Sequence, residues 1–484
     1  MRILLGIALL TITANAQWIK QRVDTTASLR GLSVVNEKVI WASGTGGAVI
    51  RTIDGGKTWN VIIVPGAEKL DFRDIEAFDA NTAYILSIGN GESSRIYKTV
   101  DGGKTWTEQF RNKSEKAFFD AIACWDRKNC IAMSDPVDAE FVFIDTEDGE
   151  HWKNKAFDHG RFVKSTGGEI LWRTGVEGQR PRELEPATAA TDQAAFAASG
   201  SCLIAISTDP KYPASQVYFA TGGSASEVLF STNRGGGWFR AVSPIVKGTP
   251  GSGIFSIAMG DDKNGVIVGG NYEKPDEAKD NLAFTTDAGA TWKLGTGLSG
   301  YRSAVTYVDK ETIIAVGTNG SDITRDGGKT WLRIDDANYN SVQAKGFKAI
   351  WGVGPKGYVT RLDWPKFLSD NTLPLCRRNT ICDGPFGPDY VELSHKEISS
   401  NCSPTNSDCS ARRIVDVTVH IVDVPPGWIT YEVSGGRILG FGPVVKWDLS
   451  GVRPGQYTIS TSMKRPSENS YLLGRTDTRV VTVK

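Results

Sequence analysis

Six short segments of the sequence are near copies of one another, and this repetition constrains the fold more than any other feature. Each segment runs from a Thr or Ser through an acidic or amide residue and one or more glycines to a Trp, as in Thr52-Ile-Asp-Gly-Gly-Lys-Thr-Trp59. The segments recur at intervals of roughly 40–55 residues with one longer interval, a period typical of propellers and solenoids. An Asp side chain accepts backbone N–H groups of its own turn, and glycine tolerates the positive φ that such a turn needs. The repeat therefore predicts a series of structural turns at Asp54, Asp101, Asp148, Asn233, Asp287 and Asp326.

The repeat matches the Asp-box pattern, S/T-x-D-x-G-x-T-W. Two copies depart from it: the third is one residue short between Asp148 and Trp152, and the fourth carries Asn233 and Gly237. In the propellers that the sequence resembles, this box forms the hairpin between the third and fourth strands of a blade, on the rim away from the ligand funnel. The boxes therefore predict a propeller, and they do not indicate a sialidase.

Working outward from each box gives units of four strands. Six boxed blades are followed by a seventh unit without a box, with strands at Phe347–Gly352 and Tyr358–Leu362. This unit lacks outer strands, and the strand-like residues Trp18–Val23 have no other partner, so we expect them to complete blade 7. Such closure protects exposed strand edges. The predicted fold is all-β: a seven-bladed β-propeller over residues 17–368, interrupted by an insertion at 158–193 on the face opposite the boxes. Six or eight blades are the alternatives, because the seventh unit is weakly marked.

Beyond the propeller the repeat disappears. Residues 369–386 form a linker containing cysteines, and residues 387–484 alternate between apolar and polar positions in short runs separated by Gly and Pro. Five to seven short strands in roughly 100 residues are typical of an Ig-like β-sandwich. The expected role of this second domain is that of a spacer or structural cap.

The N-terminal residues and the cysteines predict an exported protein. Residues 1–16 contain Arg2, an apolar run and Ala14-Asn-Ala16, which together are typical of a secretory signal peptide, and no later run reaches about 18 apolar residues. A periplasmic or secreted location favours disulfides. Cys124 and Cys130 flank a hairpin-sized gap, and Cys202 is predicted to be a buried free thiol. The other four cysteines allow three pairings, of which the simplest joins Cys376 with Cys382 and Cys402 with Cys409.

Charge and motif content argue against several classes of function. Lys+Arg and Asp+Glu both number 55, so there is no overall charge to attract nucleic acid or an anionic membrane. Four scattered histidines and the lack of a C-x-x-C pair argue against zinc, and no spaced series of acidic ligands indicates calcium. The sequence also lacks a phosphate-binding loop and a dinucleotide fingerprint. We therefore expect no cofactor, no metal, no nucleic-acid partner and no transmembrane anchor.

Several stretches outside the boxes extend the resemblance across the blades. They are Ala197-Ala-Ser-Gly-Ser-Cys202, Thr221-Gly-Gly, Gly253-Ile-Phe-Ser-Ile257, Gly269-Gly-Asn-Tyr272 and Gly300-Tyr-Arg-Ser-Ala-Val305. With the boxes, these stretches resemble the photosystem II stability/assembly factor family in its broad bacterial form. The resemblance implies a non-enzymatic, seven-bladed propeller that binds a protein partner. The appended Ig-like domain departs from the photosynthetic members.

A closed ring would bring the starts of the innermost strands to a common funnel. Aligning these starts places cations from consecutive blades on one wall, and converging guanidinium groups favour recognition of carboxylate, sulfate or phosphate. The alternative is that these charges form ion pairs between blades around a solvated channel. The candidate ligand-binding residues are Arg30, Arg73, Asp74, Asp120, Asp135, Tyr272, Tyr301, Arg302 and Lys348.

Two functions follow from this funnel. The first is an exported, non-catalytic binding or assembly protein that recognises a protein or an anionic glycan. The second is a glycoside hydrolase or lyase acting on an acidic glycan, with Asp74, Asp120 and Tyr301 as its candidate catalytic residues. A hydrolytic pair needs two carboxylates at about 5–5.5 or 6.5–9.5 Å, and no Glu is placed beside Tyr301 as a sialidase-like site requires.

Overall fold

The computed structural model describes residues 17–155, 185–206 and 216–371, and beyond these the ranges 390–393, 397–398, 414–420, 429–434, 437–439, 444–449, 455–463 and 477–483. The chain divides into two compact units, and the boundary in the sequence lies between Asp370 and Asn371. The predicted signal peptide, Cys376, Cys382, Cys402, Cys409 and most of the 158–193 insertion lie outside the described residues.

The first unit is a seven-bladed β-propeller in which each blade is an antiparallel sheet. From the innermost to the outermost strand, blade 1 comprises Leu29–Val34, Ile40–Gly44, Ala48–Thr52 and Asn60–Ile63. Blade 2 comprises Phe72–Ala77, Ala83–Ser87, Arg95–Thr99 and Thr107–Arg111, with a 3₁₀ turn at Gly91–Ser93. Blade 3 comprises Phe119–Cys124, Cys130–Val137, Glu140–Thr146 and Lys153–Asn154. Blade 4 comprises Leu203–Ile206, Gln216–Ala220, Glu227–Ser231 and Phe239–Val242.

The remaining blades close the ring. Blade 5 comprises Ser252–Met259, Gly265–Asn271, Leu282–Thr285 and Lys293–Leu294, and its sheet is extended by Gly222–Gly223 and Gln193–Ala194. Blade 6 comprises Ala304–Tyr307, Ile313–Gly317, Gly320–Thr324 and Leu332–Asp335. Blade 7 comprises Ser341–Ala344, Ile350–Val353, Val359–Leu362 and the N-terminal strand Trp18–Lys20. The helix Trp364–Asn371 follows the last blade strand.

The N-terminal strand completes blade 7, as the sequence predicts. Trp18 pairs with Leu362 and Lys20 with Thr360 in antiparallel register. The expected innermost strand of this blade was wrong, because Ser341–Ala344 is innermost and Ile350–Val353 lies second. The blade has no repeat turn from which its register could be counted, and the prediction therefore began one strand too late.

The core of the propeller lies between its blades. Every pair of neighbouring blades shares a buried apolar cluster, and the cluster between blades 1 and 2 contains Trp41, Phe72 and Ile85. The innermost strands of successive blades contact one another around the full ring. Polar side chains join these strands: Asp74 Oδ2 accepts the Ile122 N–H at 2.8 Å, and Ser256 Oγ accepts the Val305 N–H at 3.0 Å. These bonds satisfy inner-strand backbone groups that have no ladder partner.

The six repeated segments lie between the third and fourth strands of blades 1 to 6, where the sequence places them. In the first, Asp54 Oδ1 accepts the Thr58 N–H at 2.9 Å and Oδ2 accepts the Thr58 hydroxyl at 2.6 Å. These hydrogen bonds lower the pKa of Asp54 to about 2. Equivalent bonds form at Asp101, Asp287 and Asp326, whereas the shortened third turn bonds Asp148 to Glu150 and His151. We call the face that carries these turns the bottom face and the opposite one the top face.

Three of the seven cysteines lie in the described residues. Cys124 and Cys130 form a disulfide across the first two strands of blade 3, and Cys202 is a buried free thiol.

The second unit contains two four-stranded sheets within its described residues. One has the order Tyr390–Leu393, Ile414–His420, Val444–Asp448, Arg437–Leu439, and is antiparallel throughout. The other has the order Glu397–Ile398, Asp477–Val483, Gly455–Met463, Ile429–Val433, with its first pair parallel. The assignment of an Ig-like sandwich stays a prediction.

Candidate functional site

The top end of the central channel is filled by the chain itself. Residues Ala195–Ser201, which we call the plug segment, precede the innermost strand of blade 4. Arg73 of blade 2 donates from Nη1 to the Ala197 carbonyl, and Arg30 of blade 1 donates from Nη1 to the Ala198 carbonyl, both at 3.1 Å. The Ser199 hydroxyl donates to the Ser303 carbonyl beside blade 6 at 3.0 Å. The plug segment therefore bonds to opposite sides of the ring.

Aromatic packing fixes one end of the plug segment. The ring of Phe196 stacks on Phe255 of blade 5, with centroids 3.8 Å apart and an interplanar angle of 6°. Phe255 in turn meets the edge of Tyr301 at 4.8 Å and lies 6.2 Å from Tyr272. Tyr301 is buried, whereas Tyr272 is half-exposed. Tyr272 is therefore the aromatic side chain of this group that an incoming ligand would meet.

The structure brings Arg30 and Arg73 together at this mouth, and both remain partly exposed. Burial, and then the charge of Arg73, lower the pKa of Arg30. Arg73 also bonds through Nε to Asp71 Oδ2 at 2.8 Å. Within the described part of the chain, the Arg30 guanidinium makes one hydrogen bond, to the plug segment.

Arg302 does not line the mouth, contrary to the sequence prediction. Its side chain is fully buried, and its Nε donates to Asp322 Oδ2 at 2.8 Å. Its Nη1 donates to the Tyr301 carbonyl and to Asn319 Oδ1, both at 2.7 Å. The guanidinium therefore ties the entry of blade 6 to its own third strand.

The sequence prediction was also wrong for Lys348, which it placed at the funnel. It lies in the turn between Ser341–Ala344 and Ile350–Val353, which belongs to the bottom face, and its side chain is 79% exposed. Its nearest acidic neighbour is Glu37, at 3.9 Å and in the corresponding turn of blade 1. Of the four cations that the sequence places at the mouth, the structure therefore brings Arg30 and Arg73 there.

The candidate carboxylates lie beneath or beside the plug segment. Asp74 and Asp120 are both buried, and burial raises the pKa of Asp74 to about 7. Burial, followed by the charge of Asp135, raises the pKa of Asp120 well above its ordinary value. Both oxygens of Asp74 accept backbone N–H groups, from Ile75 and Ile122. Because a hydrolytic pair must reach its substrate, these two carboxylates are not placed for glycoside hydrolysis in this structure.

Asp135 has the most open position of the three acids. Its Oδ1 accepts the Ala195 N–H at 2.9 Å, and burial raises its pKa to about 6. It also lines a cleft of about 500 Å³ beside the plug segment, together with Asn90, Lys116, Phe118 and residues 189–194. The cleft therefore lies at the N-terminal end of the plug segment, since its lining residues 189–194 directly precede Ala195.

The plug segment was not predicted as part of the site. In the sequence, residues 197–202 stand out only as one of the stretches that resemble the assembly-factor family. One signal was present in the sequence: five consecutive small residues, Ala197–Ser201, directly precede an innermost strand, where close backbone approach is easiest. The described part of the insertion, residues 185–193, leads toward it and bridges to Glu140 in the top-face turn of blade 3.

Two further findings concern ligands and membranes. Among the described residues, no three His, Cys, Asp or Glu side chains are grouped so that they could hold a metal ion. In the same part of the chain, no helix has the length and apolar character needed to cross a bilayer.

The chain resembles known proteins in structure, but no sequence comparison finds a match. No protein-family profile matches the chain, and no curated protein matches its sequence. Among solved structures, YCF48 bound to D1 peptide matches at 14% identity and TM-score 0.48, over 72% of this chain and 95% of that chain. YCF48 from Cyanidioschyzon merolae matches at 17% identity and TM-score 0.46, over 72% and 98%. The extracellular domain of the hybrid two-component system BT3049 from B. thetaiotaomicron matches at 10% identity and TM-score 0.44, over 97% and 58%. The likeness at these values is one of fold alone.

Proposed function

We propose that the protein is an exported, non-catalytic binding propeller that recognises an extended peptide segment of a partner protein at the top face. The observation that carries this proposal is the pair of hydrogen bonds from Arg73 and Arg30 to the consecutive carbonyls of Ala197 and Ala198. Two guanidinium groups from adjacent blades are thus spaced to hold a peptide main chain.

The chemistry of these groups defines the ligand. Guanidinium donors suit main-chain carbonyl and carboxylate oxygens, and they form stronger bonds when the acceptor is charged. The half-exposed Tyr272 adds an aromatic surface beside them. An extended peptide that ends in or contains a carboxylate satisfies all of these features.

Export is supported by two features of the chain. Residues 1–16 have the composition of a secretory signal peptide, and the Cys124–Cys130 disulfide suits an oxidising compartment. We therefore place the protein in the periplasm or outside the cell.

A displayed library of random peptides tests the proposal. The purified protein, an Arg73→Ala variant and a Lys348→Ala variant are each used for selection, and selected peptides are titrated against all three. We expect peptides whose affinity falls at least tenfold in Arg73→Ala and is unchanged in Lys348→Ala, because Lys348 lies on the bottom face. Failure to enrich any peptide, or binding that is indifferent to Arg73, would refute the proposal.

A parallel assay addresses catalysis. The protein and an Asp120→Asn variant are incubated with chromogenic glycosides and with acidic oligosaccharides. We expect no turnover, since Asp120 is buried. Turnover that disappears in Asp120→Asn would replace the binding function by a glycosidase.

A further inference from the structure

We propose that the surface against which the plug segment packs, which we call its seat, is itself a peptide-binding site. The plug sequence then specifies the ligand, which has an aromatic residue, two small residues, a serine and a glycine in that order. This inference rests on the proposed function and adds to it a ligand pattern and a competing internal occupant. The plug segment makes polar contacts with the rest of the ring through Ala195, Ala197, Ala198, Ser199 and Ser201. Such a set is what an extended peptide ligand would make.

Two glycines leave room for the aromatic side chain of the plug segment. The Phe196 ring stacks on Phe255, and its Cε2 atom lies close to the backbones of Gly222 and Gly253. A Cβ at Gly222 would lie 2.2 Å from Phe196 Cε2, and one at Gly253 would lie 3.0 Å from it. The two glycines therefore leave the space that the ring occupies, and an aromatic ligand residue would fit there.

The following positions require small residues. Ala197, Ala198 and Ser199 are all more than nine-tenths buried. Gly200 has φ +77°, and a Cβ there would lie 2.1 Å from Asp74 Oδ1. A side chain at this point would be both strained and in collision with a buried carboxyl, so the seat selects glycine.

The two ends of the plug segment are anchored differently. Before it, Gln193–Ala194 pairs with Gly222–Gly223, and Gln193 Nε2 donates to Thr221 Oγ1 and Glu227 Oε2; after it the chain enters the innermost strand of blade 4. The arginines that hold it are partly exposed, so an outside peptide can reach them. An internal occupant lowers the apparent affinity for an outside ligand by the fraction of time that the seat is open.

The direct test supplies the plug as a separate peptide. Residues 195–200 are replaced by a Gly/Ser linker of equal length, and a capped synthetic peptide, Ala-Phe-Ala-Ala-Ser-Gly, is titrated by calorimetry. We expect binding to the replaced variant, at least tenfold weaker binding when Arg30→Ala and Arg73→Ala are added, and no binding to the native chain. A scrambled peptide of the same composition is the control. Absence of binding, or equal binding of the scrambled peptide, would overturn the proposal.

A milder variant covers the case in which the linker variant does not fold. Phe196→Ala removes the stacking on Phe255 and leaves the rest of the plug in place. We expect amide hydrogen exchange at Ala197–Ser201 to rise about tenfold while the blade strands keep their protection. Unchanged exchange would show that the segment is a fixed part of the ring, and the proposal would fail.

The outcomes separate this inference from the proposed function. If the synthetic peptide binds the linker variant but no library peptide binds the native chain, the seat is real and the partner function is wrong. If library peptides bind through Arg73 but the plug peptide does not bind, the function stands and the plug is purely structural.

Discussion

At the scale of the residue, three arginines in matching positions of different blades have different surroundings. Arg30 and Arg73 are partly exposed and hold carbonyls of the plug segment, whereas Arg302 is fully buried against Asp322. Position along a strand does not decide these roles. What differs is the acceptor: Arg302 pairs with the fully buried carboxylate of Asp322, whereas Arg73 pairs with the partly exposed Asp71 and Arg30 donates to a main-chain carbonyl.

The burial of Arg302 predicts a large cost for its removal. Arg302→Ala should lower the free energy of unfolding by about 3–5 kcal/mol, because Asp322 is left buried without its counter-charge. Arg73→Ala removes a partly exposed ion pair and one hydrogen bond to a main-chain carbonyl, and it should cost less, about 1–2 kcal/mol. Urea unfolding of both variants measures these losses in the free energy of unfolding. Equal losses would contradict a structural role that belongs to Arg302 and not to Arg73.

The buried carboxyl of Asp74 predicts a pH dependence of stability. Its pKa is about 7 in the folded chain against an ordinary value of 3.8, so the folded chain holds this proton more tightly. The stability that this contributes is complete below about pH 4 and is lost as the pH rises to about 7. Urea unfolding of the native chain and of Asp74→Asn at about pH 4 and about pH 8 should show a smaller fall with pH in the variant.

Neighbouring groups limit the size of that effect. Glu76, Asp120 and Asp135 also have raised pKa values, so part of the pH dependence should persist in Asp74→Asn. An identical pH dependence in the two proteins would mean that Asp74 does not hold its proton in the folded state.

At the scale of the element, the N-terminal strand is the closure of the ring. Trp18 is buried against Tyr339, with ring centroids 5.5 Å apart, and its Nε1–H donates to Ser321 Oγ at 3.1 Å. Ile19, next in the same strand, is 37% exposed. The side chains on one face of this strand therefore connect blade 7 to blade 6.

Truncating the two neighbouring side chains tests this closure. Trp18→Ala should lower the free energy of unfolding by about 3–5 kcal/mol, as is usual for a buried Trp. Ile19→Ala should cost much less, because its side chain is partly in solvent. Thermal unfolding measured by circular dichroism compares the variants, and equal losses would indicate that the strand contributes only its backbone.

Elements that carry a repeat were predictable, and those without one were not. The turns at Asp54 and Asp101 fix the register of their blades because each places a strand on either side at a known distance. Blade 7 has no such turn, and the prediction consequently assigned Lys348 to an innermost strand when it lies in a bottom-face turn. The closing strand was still predictable, since Trp18 and its neighbours had no other partner.

At the scale of the whole molecule, the ring was predictable and the contents of its channel were not. Six blades followed from the spacing of the repeats and a seventh from the strand-like runs after them, and a closed ring implied that Arg30 and Arg73 converge. The plug segment escaped prediction because Ala195–Ser201 carries no periodicity and is held by contacts with five other blades. Contacts of this kind depend on tertiary structure that local sequence does not encode.

In our proposal, the mouth of the ring holds peptide main chain, and the plug segment occupies it until a partner peptide binds. The deciding measurement is hydrogen exchange of the native protein with and without a library-selected peptide. We expect faster exchange at Ala197–Ser201 when the peptide is bound, with unchanged protection in the blade strands. Slower or unchanged exchange at these residues would contradict it.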